Sequence, residues 1–167
     1  MRDPMKPIRG TARPSPRDNP QDPHHDPYRR LAKPPEPTIC PNCQAVFNAG
    51  RWTWDRPPDE AREQDCPACQ RIQDQFPAGY VMIKGEFIND HRDEIVALIT
   101  AKEEREKARH PLHRIMAIED IREGLQVTTT DSQLARGIGE ALHEAYQGDL
   151  KLRYSRDENL LRATWKK

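Results

Sequence analysis

Apolar residues recur along the second half of the chain with the spacings that helices and strands require. Between Glu86 and about Arg109 they follow steps of three and four residues, which predicts an amphipathic helix. A second helix is predicted to begin with a capping box at Thr130 and to end at Gly148. Short apolar or alternating stretches between and after these helices predict strands. They lie at about residues 113–120, 125–130, 150–154 and 161–166.

This order of helix, two strands, helix and two strands favours an α+β domain over residues 81–167. We expect an antiparallel four-stranded sheet that carries both helices on one face. In the last two strands, alternation places a mainly basic set of residues on the opposite face, namely Lys151, Arg153, Arg162, Thr164 and Lys166. A sheet face of this kind is suited to phosphate contacts, but an ordinary solvated face has the same pattern.

Ahead of this domain, residues 38–80 contain few aliphatic residues and all four cysteines of the chain. The cysteines form two C-P-x-C pairs separated by 22 residues, Cys40 with Cys43 and Cys66 with Cys69. Two such pairs supply the four thiolates of a closed tetrahedral zinc site. We therefore predict a zinc ribbon, in which structural Zn2+ supplies the fold that so small a core cannot.

Two alternatives use the same cysteines. A rubredoxin-like iron site has the same four thiolates, but Gln44 and Gln70 stand where rubredoxins usually carry glycine. Two disulfides would require an oxidising compartment. The chain starts with Met-Arg-Asp-Pro and not with the apolar run of a secretory signal, which predicts a cytoplasmic protein with reduced thiols.

A short strand is predicted between the two cysteine pairs, over residues 50–54, with Trp52 and Trp54 on one face. These rings either form the core of the ribbon or, in the functional alternative, make Trp52 a stacking surface for RNA bases. Arginines at the rim of the ribbon would accompany that surface. They are Arg51, Arg56 and Arg71.

The first 37 residues have a different composition, with ten of the 16 prolines and eight Lys or Arg against five Asp or Glu. They contain too few aliphatic residues to bury a core, so we expect a basic arm (residues 1–37) that is disordered alone and ordered by a partner. Its basic residues recur every three or four positions, at Arg2, Lys6, Arg9, Arg13 and Arg17. The net charge of the whole chain is zero, and no apolar stretch approaches the roughly 18 residues of a membrane span.

Catalytic chemistry is not predicted. The sequence shows no convincing pairing of a nucleophile with a base and no glycine-rich phosphate loop. Gly137 and Gly139 fall inside the second predicted helix, where they would allow close packing against another element or, alternatively, against an RNA backbone near Arg136. We therefore expect no enzyme activity and no small-molecule substrate.

Longer stretches of residues 38–167 are distinctive as well. They include CPNCQAVF, GRWTW, CPACQRI, FPAGYV, HPLHRIMAIED, LQVTTTDSQLARGIGEALHEAYQGDL and ENLLRATW. These stretches resemble a bacterial family of small, mostly uncharacterised zinc-ribbon proteins. More distantly, that family is similar to the archaeal and eukaryotic large-ribosomal-subunit export adaptor of the nonsense-mediated-decay-three type, in which two C-x2-C pairs also precede an α/β domain. Ribosome binding, but not nuclear export, is what this resemblance implies.

We therefore expect a non-enzymatic ribosome-associated factor that binds rRNA through the arm, the rim of the ribbon with Trp52, and the last hairpin. A stress or hibernation factor on the 50S subunit or the 70S particle is favoured, and a large-subunit maturation factor is the closest alternative. Two further candidates are a zinc-ribbon adaptor that grips a protein, for instance on the transcription machinery, and an iron-containing electron carrier.

Overall fold

A computed structural model describes Tyr28 and residues 33–167 of the chain. In this part the protein forms a small cysteine-containing module followed by a larger unit of helices and strands, which is the predicted α+β class. Most of the predicted basic arm lies outside the described residues. Its predicted disorder and the contacts of Arg2, Lys6, Arg9, Arg13 and Arg17 therefore stay predictions.

The ribbon, residues 38–78, consists of short strands and one helix. These elements are β1 (Thr38–Ile39), β2 (Val46–Asn48), β3 (Arg51–Thr53), β4 (Arg62–Glu63) and α1 (Pro67–Asp74). The strands lie in the order β3-β2-β1-β4, and β1 runs antiparallel to β2 and parallel to β4. Helix α1 begins after Cys66, whose Sγ accepts the Cys69 N–H. Pro67 suits the first turn because it has a fixed φ and needs no hydrogen-bond acceptor.

The α+β unit, residues 79–167, has one mixed sheet in the described chain, with strand order β6-β7-β5-β9-β8. Its strands are β5 (Gly79–Lys84), β6 (Ile115–Ile121), β7 (Gly124–Thr129), β8 (Asp149–Ser155) and β9 (Leu160–Lys166). Its helices are α2 (Phe87–Arg109) and α3 (Ser132–Tyr146). Both predicted helices and all four predicted strands are present, each within a few residues of its expected bounds.

The predicted antiparallel four-stranded sheet is wrong in its number of strands and in their direction, because a fifth, central strand makes the sheet mixed. Strand β5 pairs antiparallel with β7 and parallel with β9, so it joins the two predicted hairpins. Val81 and Ile83 point into the core and are fully buried, while Tyr80 and Met82 are half-buried on the other face. Because apolar residues occupy both faces, β5 lacks the polar alternation that marks a half-exposed strand.

The core of the unit lies between one face of the sheet, called the inner face, and the two helices. Val81, Ile83, Leu125, Val127, Ala163 and Trp165 contribute from the strands, and Ile95, Ile99, Leu134, Ile138 and Leu142 contribute from the helices. All of these side chains are inaccessible to solvent. Both helices therefore cover the inner face, as the hydrophobic pattern predicts.

Helix α3 has its N-cap one residue later than predicted, and its two glycines pack against other elements, which is one of the two predicted alternatives. The N-cap is Asp131 instead of Thr130, because the Asp131 carboxylate accepts the N–H groups of Gln133 and Leu134. A Cβ on Gly139 would lie 2.9 Å from a Leu150 methyl, and one on Gly137 would lie 2.9 Å from the Lys102 Cε. The two glycines thus permit packing against β8 and α2.

Helix α2 is the longest helix of the described chain, with 23 residues, and it is rich in charged side chains. Within residues 33–167 no helix combines the length and the apolar character that crossing a bilayer would require.

Candidate metal centre and nucleic-acid interface

The four predicted zinc ligands come together in the ribbon. Cys40 follows β1, Cys43 lies in the turn after it, and Cys66 and Cys69 lie at the start of α1. The four Sγ atoms lie within 4.8 Å of one another, and all four cysteines are free thiols, not disulfides. Cys40, Cys66 and Cys69 are buried and Cys43 is partly accessible. This cluster can hold a metal ion.

Backbone N–H groups approach the sulfur atoms. The Cys66 N–H donates to the Cys40 Sγ at 3.3 Å, and the Cys69 N–H donates to the Cys66 Sγ at 3.4 Å. The turn after Cys40 is closed by hydrogen bonds from the Gln44 N–H to the Cys40 carbonyl oxygen and from the Cys40 N–H to the Ala45 carbonyl oxygen. Hydrogen bonds to the charged form favour a thiolate over a thiol, so the backbone favours the state that binds metal.

Arg114, which pattern analysis does not single out, reaches the same cluster from the α+β unit. Its Nη2 lies 3.1 Å from the Cys66 Sγ and 3.2 Å from the Cys69 Sγ, within hydrogen-bond distance of both. The residue is only 8% exposed. A single arginine in a chain that contains many gives no periodic or motif signal, so the sequence alone does not mark it.

Three thiols of the cluster, those of Cys43, Cys66 and Cys69, have displaced pKa values without a metal. A hydrogen bond from Cys66 lowers the pKa of Cys43 to about 5, and that bond together with burial raises the pKa of Cys66. Burial raises the pKa of Cys69 to about 11, against the opposing effect of Arg114. The folded metal-free cluster therefore favours a thiolate on Cys43 and thiols on Cys66 and Cys69.

The donor set fits a tetrahedral thiophilic cation. Metal–sulfur bonds of about 2.3 Å in a tetrahedron place sulfur atoms about 3.8 Å apart, and the Cys43 and Cys66 Sγ atoms are 3.7 Å apart. Four cysteine ligands fill all four positions, so such a site is closed to substrate.

The predicted RNA contacts of the ribbon are divided between exposed and buried residues. Arg51 and Arg56 are exposed, as surface contacts require. Trp52 is only 8% exposed and packs against Phe47 with ring centroids 5.5 Å apart, so it belongs to the ribbon core and is not a stacking platform. Trp54 lies past the end of β3 and is 39% exposed, so the two rings do not share one buried face.

Arg71 is also not the rim residue that the sequence predicts. It is 5% exposed, donates a hydrogen bond from Nη1 to the Phe76 carbonyl oxygen, and places its guanidinium 4.3 Å from the centre of the Tyr28 ring. The side chain faces inward because it lies on the buried side of α1, next to Ala68. Arg71 therefore stabilises the exit from the ribbon.

The predicted basic residues of the last hairpin do share one face of the sheet. Lys151, Arg153, Arg162 and Lys166 are exposed and lie opposite the inner face, with Arg153 and Arg162 directly paired. We call this the outer face and define it by Tyr80, Lys151, Arg153, Arg162, Thr164 and Lys166. Tyr80 of the central strand is paired with Arg162, whose guanidinium lies 5.8 Å from the centre of its ring.

Two acidic residues partly neutralise the positive charge of the outer face. Glu158 pairs with Arg162 at 3.1 Å, and Asp149 lies 3.7 Å from the Lys151 ammonium. The side chains of these pairs are exposed, so water and salt screen the pairs. The four cations therefore stay accessible to a more highly charged partner.

Comparison with known proteins assigns no function to the metal cluster or to the outer face. The chain matches no protein-family model, no curated protein and no solved structure.

Proposed function

We propose that this protein is a non-enzymatic, ribosome-associated factor that binds rRNA and contains one structural Zn2+ ion. The observation that carries the proposal is the outer face, on which four exposed cations lie on two adjacent strands beside an aromatic ring. Phosphate contacts supply much of the affinity of RNA-binding proteins, and aromatic rings on open sheets stack with unpaired bases.

Zinc is the metal we propose for the cysteine cluster. A d10 ion accepts four thiolates in a tetrahedron without redox chemistry. Phe47, Trp52 and two alanines are the main apolar groups of the ribbon core beside the cysteines. The metal then stabilises the surface that displays Arg51 and Arg56.

The choice of the ribosome rests on the resemblance to the ribosome-binding zinc-ribbon adaptor. The cytoplasm is the matching location, and the large subunit or the whole particle under stress is the matching target. Maturation of the large subunit is the closest alternative role, and the fractions in which the protein is found distinguish the two. A maturation factor should accompany precursor particles in growing cells, whereas a hibernation factor should accompany 70S particles in starved cells.

Co-sedimentation of the tagged protein through sucrose gradients, from growing and starved cells at low and high salt, tests the proposal. We expect zinc-containing protein in the 50S or 70S fractions, and its loss at high salt. Arg153→Glu and Lys166→Glu should each release it at lower salt. Arg105→Glu reverses an exposed charge on α2 and is the matched control. Wild-type protein that stays at the top of every gradient contradicts ribosome binding.

A protein-interaction adaptor is the second candidate, and one observation favours it. The side chains of Ile72 and Phe76, in and just after α1, are 39% and 47% exposed. Exposed apolar side chains on one short segment can contribute to a protein contact, and the Phe76 ring already contacts that of Tyr28 at 5.8 Å between centroids. Under this alternative, Phe76→Ser would abolish partner capture, which would resist both high salt and ribonuclease, while Arg153→Glu would have no effect.

A further inference from the structure

We propose that Arg114 is an outer-sphere residue of the metal centre, which neutralises part of its charge and couples metal binding to the docking of the ribbon on the α+β unit. This inference is independent of RNA binding. It rests on the position of one guanidinium from the sheet domain against two cysteine sulfur atoms of the ribbon.

The first argument is charge. Four thiolates (−4) around a divalent cation (+2) leave a net charge of −2 on a cluster in which three of four cysteines are buried. Buried charge is costly unless it is paired and hydrogen-bonded. The guanidinium is positive at all relevant pH values and reduces the net charge to −1.

Arg114 in turn depends on the negative charge of the cysteine sulfur atoms. It is 8% exposed, and its Nε has no hydrogen-bond partner among the described residues. A buried guanidinium needs an anion, and the sulfur atoms are the partners that its Nη2 contacts. Neutral thiols would be weak acceptors. Arg114 is therefore best satisfied when the cysteines are ionised, which is the metal-bound state.

The second argument is rigidity, because Arg114 is held by the sheet domain and not by the ribbon. The Arg114 N–H donates to the Thr130 Oγ1 at 3.0 Å, and the Thr130 N–H donates to the Arg114 carbonyl oxygen at 2.9 Å. The Thr130 hydroxyl also donates to the Leu112 carbonyl oxygen at 2.6 Å. Leu112 itself packs against the ribbon core. A fixed guanidinium can thus transmit the state of the cluster to the α+β unit.

The test uses the full-length protein and two substitutions of Arg114. Arg114→Met keeps the length of the side chain without its charge, and Arg114→Lys keeps the charge without the planar fork. Arg92→Met is the control, because Arg92 makes an ion pair with Asp120 in the same unit. Zinc affinity is measured by competition with a chromophoric chelator. Hydrogen exchange is followed at residues 112–115 and 130 with and without Zn2+.

We expect Arg114→Met to weaken zinc binding by about tenfold or more, in the range found for outer-sphere partners of metal ligands. Arg114→Lys should recover part of that loss, and Arg92→Met should bind as the wild type does. In the wild type, Zn2+ should slow exchange both in the ribbon and at residues 112–115 and 130. In Arg114→Met it should slow exchange in the ribbon alone.

Wild-type zinc affinity in Arg114→Met overturns the proposal, as does equal exchange protection at residues 112–115 in the two proteins. If Arg114→Met does not fold without Zn2+, Arg114→Lys decides the matter. The proposal is again overturned if Arg114→Lys binds zinc as tightly as the Arg92→Met control does and Zn2+ slows exchange at residue 130 as much as in the wild type.

Discussion

The indole Nε1 of Trp54 donates a hydrogen bond of 2.7 Å to the carbonyl oxygen of Lys107. Lys107 lies in the last turn of α2, where carbonyl groups lack partners within the helix. A residue of the ribbon thus satisfies the end of a helix in the α+β unit. Together with Arg114, this contact joins the two modules through polar side chains.

Trp54→Phe should destabilise the protein, because it removes the hydrogen bond to the Lys107 carbonyl oxygen but keeps an aromatic ring. We expect a loss of about 1 kcal/mol in the free energy of unfolding, the usual net value of one hydrogen bond. Urea unfolding of the zinc-loaded protein measures it. Ile72→Ala is the control, since Ile72 is as exposed as Trp54 at 39%, and its effect should stay within about 0.5 kcal/mol. Equal effects of the two changes would show that the hydrogen bond contributes nothing.

Gly79→Ala should destabilise the α+β unit more strongly. A Cβ at Gly79 would lie 2.4 Å from the Ala135 Cβ and 2.5 Å from the Thr129 Oγ1, where β5 passes under α3. Neither neighbour is the end of a flexible side chain, so strand and helix must separate, at a cost of about 2 kcal/mol or more. Thermal unfolding followed by circular dichroism gives the value.

Gly137→Ala is the matched comparison. Its Cβ would meet only the Cε and Nζ of Lys102, at 2.9 and 3.4 Å, and that side chain can move. Alanine also gains about 1 kcal/mol over glycine inside a helix. This variant should be neutral or slightly more stable, and a loss as large as that of Gly79→Ala would contradict the reason given for both.

The elements that the sequence pattern locates are those with a repeating signal. The periodic residues of α2 and α3 and the spacing of Cys40, Cys43, Cys66 and Cys69 can be recognised without a structure. Strand β5 cannot, because Tyr80 to Ile83 is apolar on both faces and follows a proline-containing turn that resembles a linker. The pattern also leaves the burial of Trp52 open and places Arg71 on the surface, because sequence alone does not show that Phe47 and Tyr28 cover them.

Removal of the metal should unfold the ribbon but leave the α+β unit folded. The ribbon core contains the cysteines themselves, whereas the large core of the second unit includes Trp165 and 13 buried aliphatic residues. With a chelator present, proteases should cut between residues 41 and 65 and leave a stable fragment near residues 79–167. Cys40→Ser should behave in the same way without a chelator. Readdition of Zn2+ should restore protection to the wild type only, and loss of the larger fragment would contradict this separation.

Acid should weaken metal binding steeply, because protons and metal compete for the same sulfur atoms. In the metal-free cluster, burial raises the pKa of Cys69 to about 11, and the Cys43 hydrogen bond with burial raises that of Cys66, so both are thiols at neutral pH. In the folded cluster the hydrogen bond from Cys66 lowers the pKa of Cys43 to about 5 and favours its thiolate. Each zinc ion bound near neutrality must therefore displace at least these two protons.

Apparent zinc affinity should thus rise by at least about two log units for each pH unit between pH 6 and 8. Chelator competition at several pH values gives the slope, and proton release into a weakly buffered solution counts the protons directly. A slope below one would mean that Cys66 and Cys69 are ionised without metal. A slope near four at neutral pH would mean that all four cysteines are thiols in the metal-free protein, as they are when the ribbon is unfolded.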